Sequence, residues 1–188
     1  MKLNLGCFDK KLPGFTNIDI REDVEPDVVD DAFTLKKFNK NSVELIYCSH
    51  MLEHLTFKEA DRAIHRWFDV LKKGGTLRLA VPDMEAVFAH YFYWKDLKLL
   101  YSALWGSQRH EFDYHRNGWD EQTLSEKLKE VGFSEVRRWD WQNTEPHNYI
   151  DDYSQAYYPD YHKTVFMANG QEVNLGGKLM SLNLEAIK

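Results

Sequence analysis

Apolar and β-branched residues in the first half of the chain gather in short runs, each about the length of one strand. Between the fourth and fifth runs the period changes: apolar residues from Leu52 to Leu71 recur at helical spacing and predict one amphipathic helix over 50–72. Lys72-Lys73-Gly74-Gly75 should end that helix, with cations in the last turn and glycines after it. The predicted strands are 2–6, 16–20, 27–32, 43–48 and 76–81.

The second half of the chain is richer in aromatic and turn residues. Residues 83–118 read as helical in their first half and polar in their second. Asp120 is a suitable N-cap for another helix, which Gly132 ends, and strand 134–141 follows. The tyrosine-rich stretch 142–162 is predicted to be a loop or lid. Near the end of the chain, Asn169-Gly170 is a hairpin signal, and the last predicted strand is 178–187.

Strands that alternate with helices predict an α/β fold with a mostly parallel, doubly wound sheet of seven strands and helices on both faces. The hairpin-like ending indicates that the last strand is antiparallel. The length favours one domain over 1–188, with 83–118 and 142–177 as substrate, lid or oligomer insertions. Ligands of such sheets bind at the carboxyl ends of the strands.

Composition narrows the classes of partner. A net charge of −6 argues against nucleic-acid binding, which usually needs a basic face. The absence of a signal peptide or a long apolar stretch favours a cytoplasmic protein that does not enter a membrane. The two cysteines, Cys7 and Cys48, end neighbouring predicted strands and are expected to be buried reduced thiols.

The most informative chemistry lies in the first twenty residues. Strand 2–6 ends at Gly6, and the next strand carries Asp19 near its end. A glycine turn lets the backbone approach a nucleoside, and a carboxylate on the next strand accepts hydrogen bonds from ribose hydroxyls. The two strands are separated by only about ten residues, too few for a full crossover helix. The first helix should therefore be reduced to a turn around Pro13-Gly14.

Further motifs follow in a fixed order: Asp31-Ala32, then Ile46 to Leu55, then Leu71 to Gly75, and finally Val131-Gly132-Phe133. In this order and spacing the chain resembles the class I S-adenosylmethionine-dependent methyltransferases, in particular the small methyltransferase type 11-like family. The resemblance covers about 2–141 and the last strand, and it implies a Rossmann-like sheet.

The resemblance also implies roles for individual residues. Asp19 would accept from both ribose hydroxyls, and Asp31 from the adenine amino group, with Asp30 as a one-residue alternative. The Ala32 N–H would donate to an adenine ring nitrogen, and Ser49 would line the methyl-transfer site. The remaining residues implied to contact the cofactor flank the glycine and the first acid: Leu5, Gly6, Cys7, Phe8 and Ile20.

One position departs from the family pattern. Phe8 stands where the family has its second glycine, so its ring should either swing outward or cover the cofactor. With the first helix cut short, one side of the cofactor pocket should be open unless 142–162 or a second subunit covers it.

His54 and His115 are the candidate catalytic bases, because a neutral imidazole suits deprotonation of an acceptor hydroxyl. The expected acceptor is a small molecule, with a sugar or surface-glycan precursor as one option. The aromatic stripe of Phe88, Tyr91, Phe92 and Trp94 is expected to be core or a homodimer face.

Two other functions stay open. The protein could bind S-adenosylmethionine without transferring its methyl group. Alternatively, His50-Met51-Leu52-Glu53-His54 matches the inverted zinc-peptidase pattern, which needs both histidines on one helix face. With no obvious third ligand in the sequence, we predict no metal site.

Overall fold

The computed structural model describes residues 1–144, 153–158, 164–166, 172–174 and 178–188, the segments 164–166 and 172–174 by their backbone alone. The strands are β1 Lys2–Leu5, β2 Thr16–Asp19, β3 Val28–Val29, β4 Val43–Ser49, β5 Leu71–Pro82, β6 Glu135–Arg138, β7 Thr164–Phe166, β8 Glu172–Asn174 and β9 Ser181–Ile187. The helices are α1 Phe57–Val70, α2 Met84–Trp94, α3 Tyr101–Trp105 and α4 Glu121–Val131.

Seven strands form one sheet in the order β3-β2-β1-β4-β5-β9-β6. Strands β1 to β5 pair in parallel, and β9 runs antiparallel to both of its neighbours. This confirms the predicted fold class, including the antiparallel last strand. The predicted hairpin also forms, because β7 and β8 pair antiparallel, although its Asn169-Gly170 turn lies outside the described residues.

The helices α1 and α4 pack together on one apolar face of the sheet. Their buried side chains join alternate residues of the central strands, such as Ile46, Leu79 and Leu184, in one core. The residues between these, including Tyr47, Arg78 and Glu185, belong to the opposite face. Within the described residues, the expectation of helices on both faces is therefore met on one face only.

The opposite face is largely polar and is covered by loops. Arg78 and Arg137 both contact the buried carboxylate of Glu185 on β9, at 3.2 and 2.7 Å. A small second cluster joins Tyr47 and Trp139 with Leu12 from the first crossover. The sequence already indicates a polar face. Leu-Arg-Leu at 77–79 and Leu-Asn-Leu at 182–184 alternate, as strands do when one side is not buried under helices.

The first crossover contains turns and no helix between β1 and β2, as predicted. Two buried asparagines hold it in place. Asn4 and Asn17 are register partners on neighbouring strands, and the Asn4 Nδ2 donates to Asn17 Oδ1 (3.0 Å) and to the Lys10 carbonyl (2.8 Å). Asn17 Oδ1 also accepts from the Leu12 N–H at 2.8 Å, and its Nδ2 donates to Asp27 at 2.8 Å. The crossover is thus fixed by side-chain amides.

Several predicted boundaries are wrong, including the start of β5, which lies at Leu71 instead of 76. The helix predicted over 50–72 begins only at Phe57, because Thr56 forms a capping box with Glu59. It ends at Val70, before the cations and glycines, and the chain passes directly into β5. The strand predicted at 27–32 is only Val28–Val29, because the residues after it form turns closed by Asp30 and Asp31. The Asp120 N-cap and the Gly132 end of α4 are confirmed.

The aromatic stripe on α2 is not core. Phe88 and Phe92 are 63% and 76% exposed, and Tyr91 is also exposed. The expectation of a homodimer face at this stripe stays a prediction. Among the described residues, no helix combines the length and the apolar character that crossing a bilayer requires.

If the asparagine pair holds the crossover, Asn17→Ala should lower the free energy of unfolding by about 3 kcal/mol, because it leaves the buried donors of Asn4 and Leu12 without acceptors. Urea denaturation measures the change. Asn39→Ala, on an exposed side chain, is the control and should cost less than about 0.5 kcal/mol. Equal losses in the two variants would contradict the role of the pair.

Candidate functional site

The carboxyl ends of β1, β2 and β4 meet at one edge of the sheet, since the three strands are parallel neighbours. Gly6 follows β1, while Asp19 and Ser49 are the last residues of β2 and β4. The turn after β3 adds Asp31 beside them. The predicted site residues of the first half of the chain are thus brought to one edge.

Gly6 has a φ of +64°, a conformation that side chains rarely adopt. A Cβ atom at this position would lie 2.7 Å from the Cγ of Met51, which is too close for an unshifted structure. The neighbour that requires the glycine in this structure is therefore Met51, in the turn that follows β4. The implied approach of Gly6 to a cofactor stays a prediction.

Asp19 is a buried carboxylate, 7% exposed, that is held by backbone amides. Its Oδ2 accepts from the Phe8 N–H at 2.9 Å, and its Oδ1 accepts from the Arg21 N–H at 3.0 Å. Each carboxylate oxygen can accept a second hydrogen bond. The carboxylate is therefore oriented before any ligand arrives and keeps one acceptor position on each oxygen.

The ring of Phe8 swings outward, one of its two expected orientations. Phe8 has a φ of +44° and is 41% exposed. The guanidinium of Arg21 lies 5.3 Å from the ring centroid, within the range of a cation–π contact, and also pairs with Asp23. The unusual backbone conformation presents the Phe8 N–H to Asp19. Ile20, between them in the chain, is exposed.

The two neighbouring acids after β3 have different environments. Both oxygens of the buried Asp30 are used, since Oδ1 accepts from the Asp31 N–H (2.9 Å) and Oδ2 from the Lys37 N–H (3.0 Å). Asp31 is half-buried and accepts one backbone N–H, from Phe33, on Oδ1. Its Oδ2 has no hydrogen-bond partner among the described residues. Asp31 is therefore the acid with acceptor capacity to spare.

Ala32 and Ser49 each contribute one polar group to the edge. The carbonyl of the buried Ala32 accepts from Trp67 Nε1 at 2.8 Å, which fixes the turn against α1. The Ala32 N–H donates to no other described residue. The buried Oγ of Ser49 likewise has no partner in the described part of the chain. Buried polar atoms are normally hydrogen-bonded, so both are candidate ligand contacts.

Leu5 and Cys7 are buried in the strand ends rather than displayed at the edge. Burial, with the nearby Asp19 adding to it, raises the pKa of the Cys7 thiol to about 12. Burial also raises the pKa of Cys48, on the neighbouring strand. Both thiols are free, as expected, and the raised pKa values make them poor nucleophiles.

A second group of polar residues surrounds Glu53, in the turn Leu52–His54 that follows β4. Glu53 is 1% exposed. His115 Nε2 lies 3.9 Å from its Oε1, and the rings of His54 and His115 meet edge to face with centroids 4.8 Å apart. The two predicted catalytic histidines are thus brought together. Burial lowers the pKa of His115, which favours the neutral imidazole.

Backbone bonds position His115 beside Glu53. The carbonyl of Glu53 accepts from the N–H groups of Arg116 (2.8 Å) and Asn117 (3.3 Å). The Asn117 side chain donates to the carbonyls of Leu52 and Leu55 at 2.9 and 2.8 Å. Sequence reasoning missed Asn117 and gave Glu53 no role in the predicted site. The sequence does contain a signal for Glu53, because this residue is the glutamate of the His-x-x-Glu-His pattern.

The helical zinc-peptidase geometry is not formed. His50 precedes a short 3₁₀ turn and His54 is the last residue of that turn, so the two do not share a face of an α-helix. His50 has a φ of +49°, and its Nε2 lies 3.1 Å from Ser181 Oγ on β9. Its ring therefore faces the last strand, whereas His54 faces His115. The described part of the expected lid lies nearby, since the ring centroids of Tyr153 and His50 are 5.4 Å apart.

Asp83 follows β5 directly, and its carboxylate is used by the N-terminus of α2 and by Arg138. Asp83 Oδ1 accepts from the N–H groups of Glu85 and Ala86 and so caps α2. Arg138 approaches its Oδ2 at 3.7 Å. This acid of the strand edge is thus committed to the structure of α2.

Comparison with known proteins gives one family-model match and several structures of the same fold. The family model of the methyltransferase domain matches residues 15–79, from β2 into β5. No protein of curated function matches the sequence. A SAM-dependent methyltransferase from Archaeoglobus fulgidus is similar in structure, with 15% identity and a TM-score of 0.62, over 100% of this chain and 85% of that one.

Two further solved structures share the fold. A SAM-dependent methyltransferase from Methanosarcina mazei is 18% identical, with a TM-score of 0.58 over 100% of this chain and 91% of that one. A possible histamine N-methyltransferase from Thermotoga maritima is 12% identical, with a TM-score of 0.59 over 100% and 81%. The family-model match is confined to residues 15–79, and the three solved structures show that this chain has the fold found in those S-adenosylmethionine-dependent methyltransferases.

Proposed function

We propose that the edge formed by Asp19, Asp31, Ala32 and Ser49 is the S-adenosylmethionine site. The observation that carries this proposal is the unused acceptor capacity of Asp19 and Asp31, two carboxylates whose orientation the backbone already fixes. Asp19 would accept from the ribose hydroxyls and Asp31 Oδ2 from the adenine amino group. The Ala32 N–H would donate to an adenine ring nitrogen.

The methyl donor fits the polar groups that the edge leaves unpaired. A nucleoside offers two ribose donors and one amino donor, which match acceptor positions on Asp19 and Asp31. Ser49 Oγ, buried without a partner, lies at the end of β4 toward Glu53 and the histidines. When bound, the donor supplies a methyl carbon on a sulfonium, and the chain's residues align the acceptor with it.

We propose a small molecule with a nucleophilic hydroxyl as the acceptor, a sugar or surface-glycan precursor among the options. The net charge of −6 opposes a nucleic acid, and the imidazoles of His54 and His115 lie at the end of β4. A hydroxyl that attacks the methyl carbon must lose its proton. The lowered pKa of His115 leaves that imidazole neutral and able to accept it.

We further propose that the described residues 153–158 cover the acceptor side of the site. Their contacts support this placement. Ser154 is fully buried, and its carbonyl accepts from Asn183 Nδ2 of β9 at 2.9 Å. Tyr153, the residue before it, lies against His50. A second copy of the chain is the alternative cover.

A second candidate function is binding of S-adenosylmethionine without transfer. The crossover beside Gly6 favours this second function, because it lacks a helix at the place where the methyl donor would bind. Release of S-adenosylhomocysteine in the presence of a panel of small hydroxylated acceptors separates the two functions. Tight binding of donor and product with no turnover of any acceptor would favour the binding protein.

Isothermal titration calorimetry with S-adenosylmethionine and with S-adenosylhomocysteine tests the donor site. We expect one molecule of either ligand to bind per chain. If neither ligand gives a heat of binding with a protein that circular dichroism shows to be folded, the proposed function is contradicted.

The substitution Asp31→Asn tests the adenine contact and keeps the hydrogen bond from the Phe33 N–H. An amide oxygen can still accept from the Phe33 N–H, whereas the new amino group would face the adenine amino group. We expect the dissociation constant for S-adenosylhomocysteine to rise about tenfold. Asp9→Asn, on an exposed acid of the crossover, is the matched control and should bind as the parent does.

Ser49→Ala separates ligand binding from stability. The Ser49 Oγ has no protein partner, so its removal should leave the free energy of unfolding unchanged or raise it by up to about 1 kcal/mol. If the hydroxyl contacts the ligand, the same variant should bind S-adenosylhomocysteine about three- to tenfold more weakly. Unchanged affinity would remove Ser49 from the site.

A further inference from the structure

Glu53 is a buried carboxylate without a hydrogen bond. It is 1% exposed, and both of its carboxylate oxygens lack hydrogen-bond partners among the described residues. His50 Nδ1 comes to 3.3 Å from Oε1, an ion-pair distance that does not meet hydrogen-bond geometry. Isolated buried carboxylates are costly unless a cation or a metal compensates them. The charge of Glu53 can therefore be compensated by protonated His50 or by a bound metal ion.

The neighbouring imidazoles are held as metal ligands usually are. His115 Nδ1 is 2.8 Å from the Ala103 carbonyl, and His54 Nδ1 is 3.3 Å from the Tyr114 carbonyl. A carbonyl can only accept, so Nδ1 carries the proton in each ring and Nε2 presents a lone pair. Metal-binding histidines characteristically donate their other ring N–H to a backbone carbonyl or a carboxylate. Two such second contacts are already in place here.

We propose that Glu53, His54 and His115 bind a divalent transition metal ion, with Zn²⁺ as the best match. One ligand atom from each of the three residues lies within 4.8 Å of the other two. Around a tetrahedral Zn²⁺ these atoms would be about 3.4 Å apart. The 3.9 Å between His115 Nε2 and Glu53 Oε1 exceeds this by about 0.5 Å, and separations of up to 4.8 Å mean that the side chains would close by as much as about 1.4 Å on the ion. His54 is half-buried, which leaves the site open to entering ions.

The donor set selects the class of metal. Two imidazoles with one carboxylate suit zinc and its neighbours in the first transition row, whereas Mg²⁺ and Ca²⁺ prefer oxygen ligands. Three protein ligands leave a position for water or for an acceptor oxygen. This site goes beyond the sequence prediction, which foresaw no metal because it identified no third ligand. His115, distant in the chain, supplies that ligand.

The role of the metal in catalysis rests on the proposed function. An acceptor hydroxyl bound to Zn²⁺ would lose its proton more readily, as metal-bound water does. In the metal-bound protein, the metal ion would take over the role of the base assigned to His115 above: His54 and His115 would act as ligands, and the proton would pass to solvent. Metal binding itself does not depend on methyl transfer and can be tested without the donor.

The test measures binding of Zn²⁺ alone to the full chain after treatment with a chelator. Competition against a chromophoric chelator should give one Zn²⁺ per chain for the parent protein. His115→Ala and His54→Ala should each weaken binding by more than about 100-fold, because each removes a ligand. His65→Ala, on an exposed histidine of α1, is the matched control and should bind as the parent does.

Co²⁺ gives a second readout, because a four-coordinate site with nitrogen ligands has visible absorption that hexaaqua Co²⁺ lacks in that intensity. We expect this absorption in the parent and its loss in His54→Ala, whose half-exposed ring can be removed without opening the core. Binding of S-adenosylhomocysteine by the same variant should be unchanged, which separates failure of this site from failure of the donor site.

Two results would overturn the metal site. The first is absence of stoichiometric Zn²⁺ binding to the folded parent, which would leave protonated His50 as the partner of Glu53. The second is Zn²⁺ binding that survives both His54→Ala and His115→Ala, or that is lost only in His50→Ala, since either would require a different ligand set.

Discussion

The hydrogen bond between Asn4 and Asn17 is the constraint on which the edge of the sheet that carries Gly6 and Asp19 depends. Parallel strands normally need a long crossover, and this chain joins β1 to β2 through turns alone. The two carboxamides sit opposite each other on the polar face and bind the backbone of the loop at Lys10 and Leu12. That loop in turn delivers the Phe8 N–H to Asp19. Together with the backbone bond from the Cys7 N–H to the Ile18 carbonyl, the asparagine pair thus supports the orientation of Asp19.

Much of the fold could be read from the sequence, since strand runs, the Asp120 cap and the short first crossover are all local signals. The alternation of apolar and polar residues along β5 and β9 also indicates a sheet that is covered by helices on one face only. It was overlooked because strands followed by helices usually imply cover on both faces. The start of α1 was misplaced because Leu52 and Leu55 fit a helical period, whereas the Thr56 capping box decides where the helix begins.

The site could be read less completely. Sequence alone could not distinguish Asp30 from Asp31, because the distinction depends on which carboxylate the Lys37 backbone occupies. Nor could it pair His115 with Glu53, because the loop that carries His115 reaches Glu53 only through Arg116 and Asn117. Long-range contacts of this kind have no periodic signature. The placement of Gly6, Asp19 and Ser49 at one edge of the sheet was therefore predictable, and the cluster around Glu53 was not.

The helix-free crossover has an electrostatic consequence. A helix that follows the glycine turn would direct the positive end of its dipole at the bound nucleoside. In the proposed site the ligand would face the carboxylates of Asp19 and Asp31, with no helix N-terminus after Gly6 to offset them. Such a field favours a cationic sulfonium over a neutral thioether. The missing helix would therefore make the proposed site bind the methyl donor more tightly than the demethylated product, so that transfer of the methyl group would itself favour release of the product.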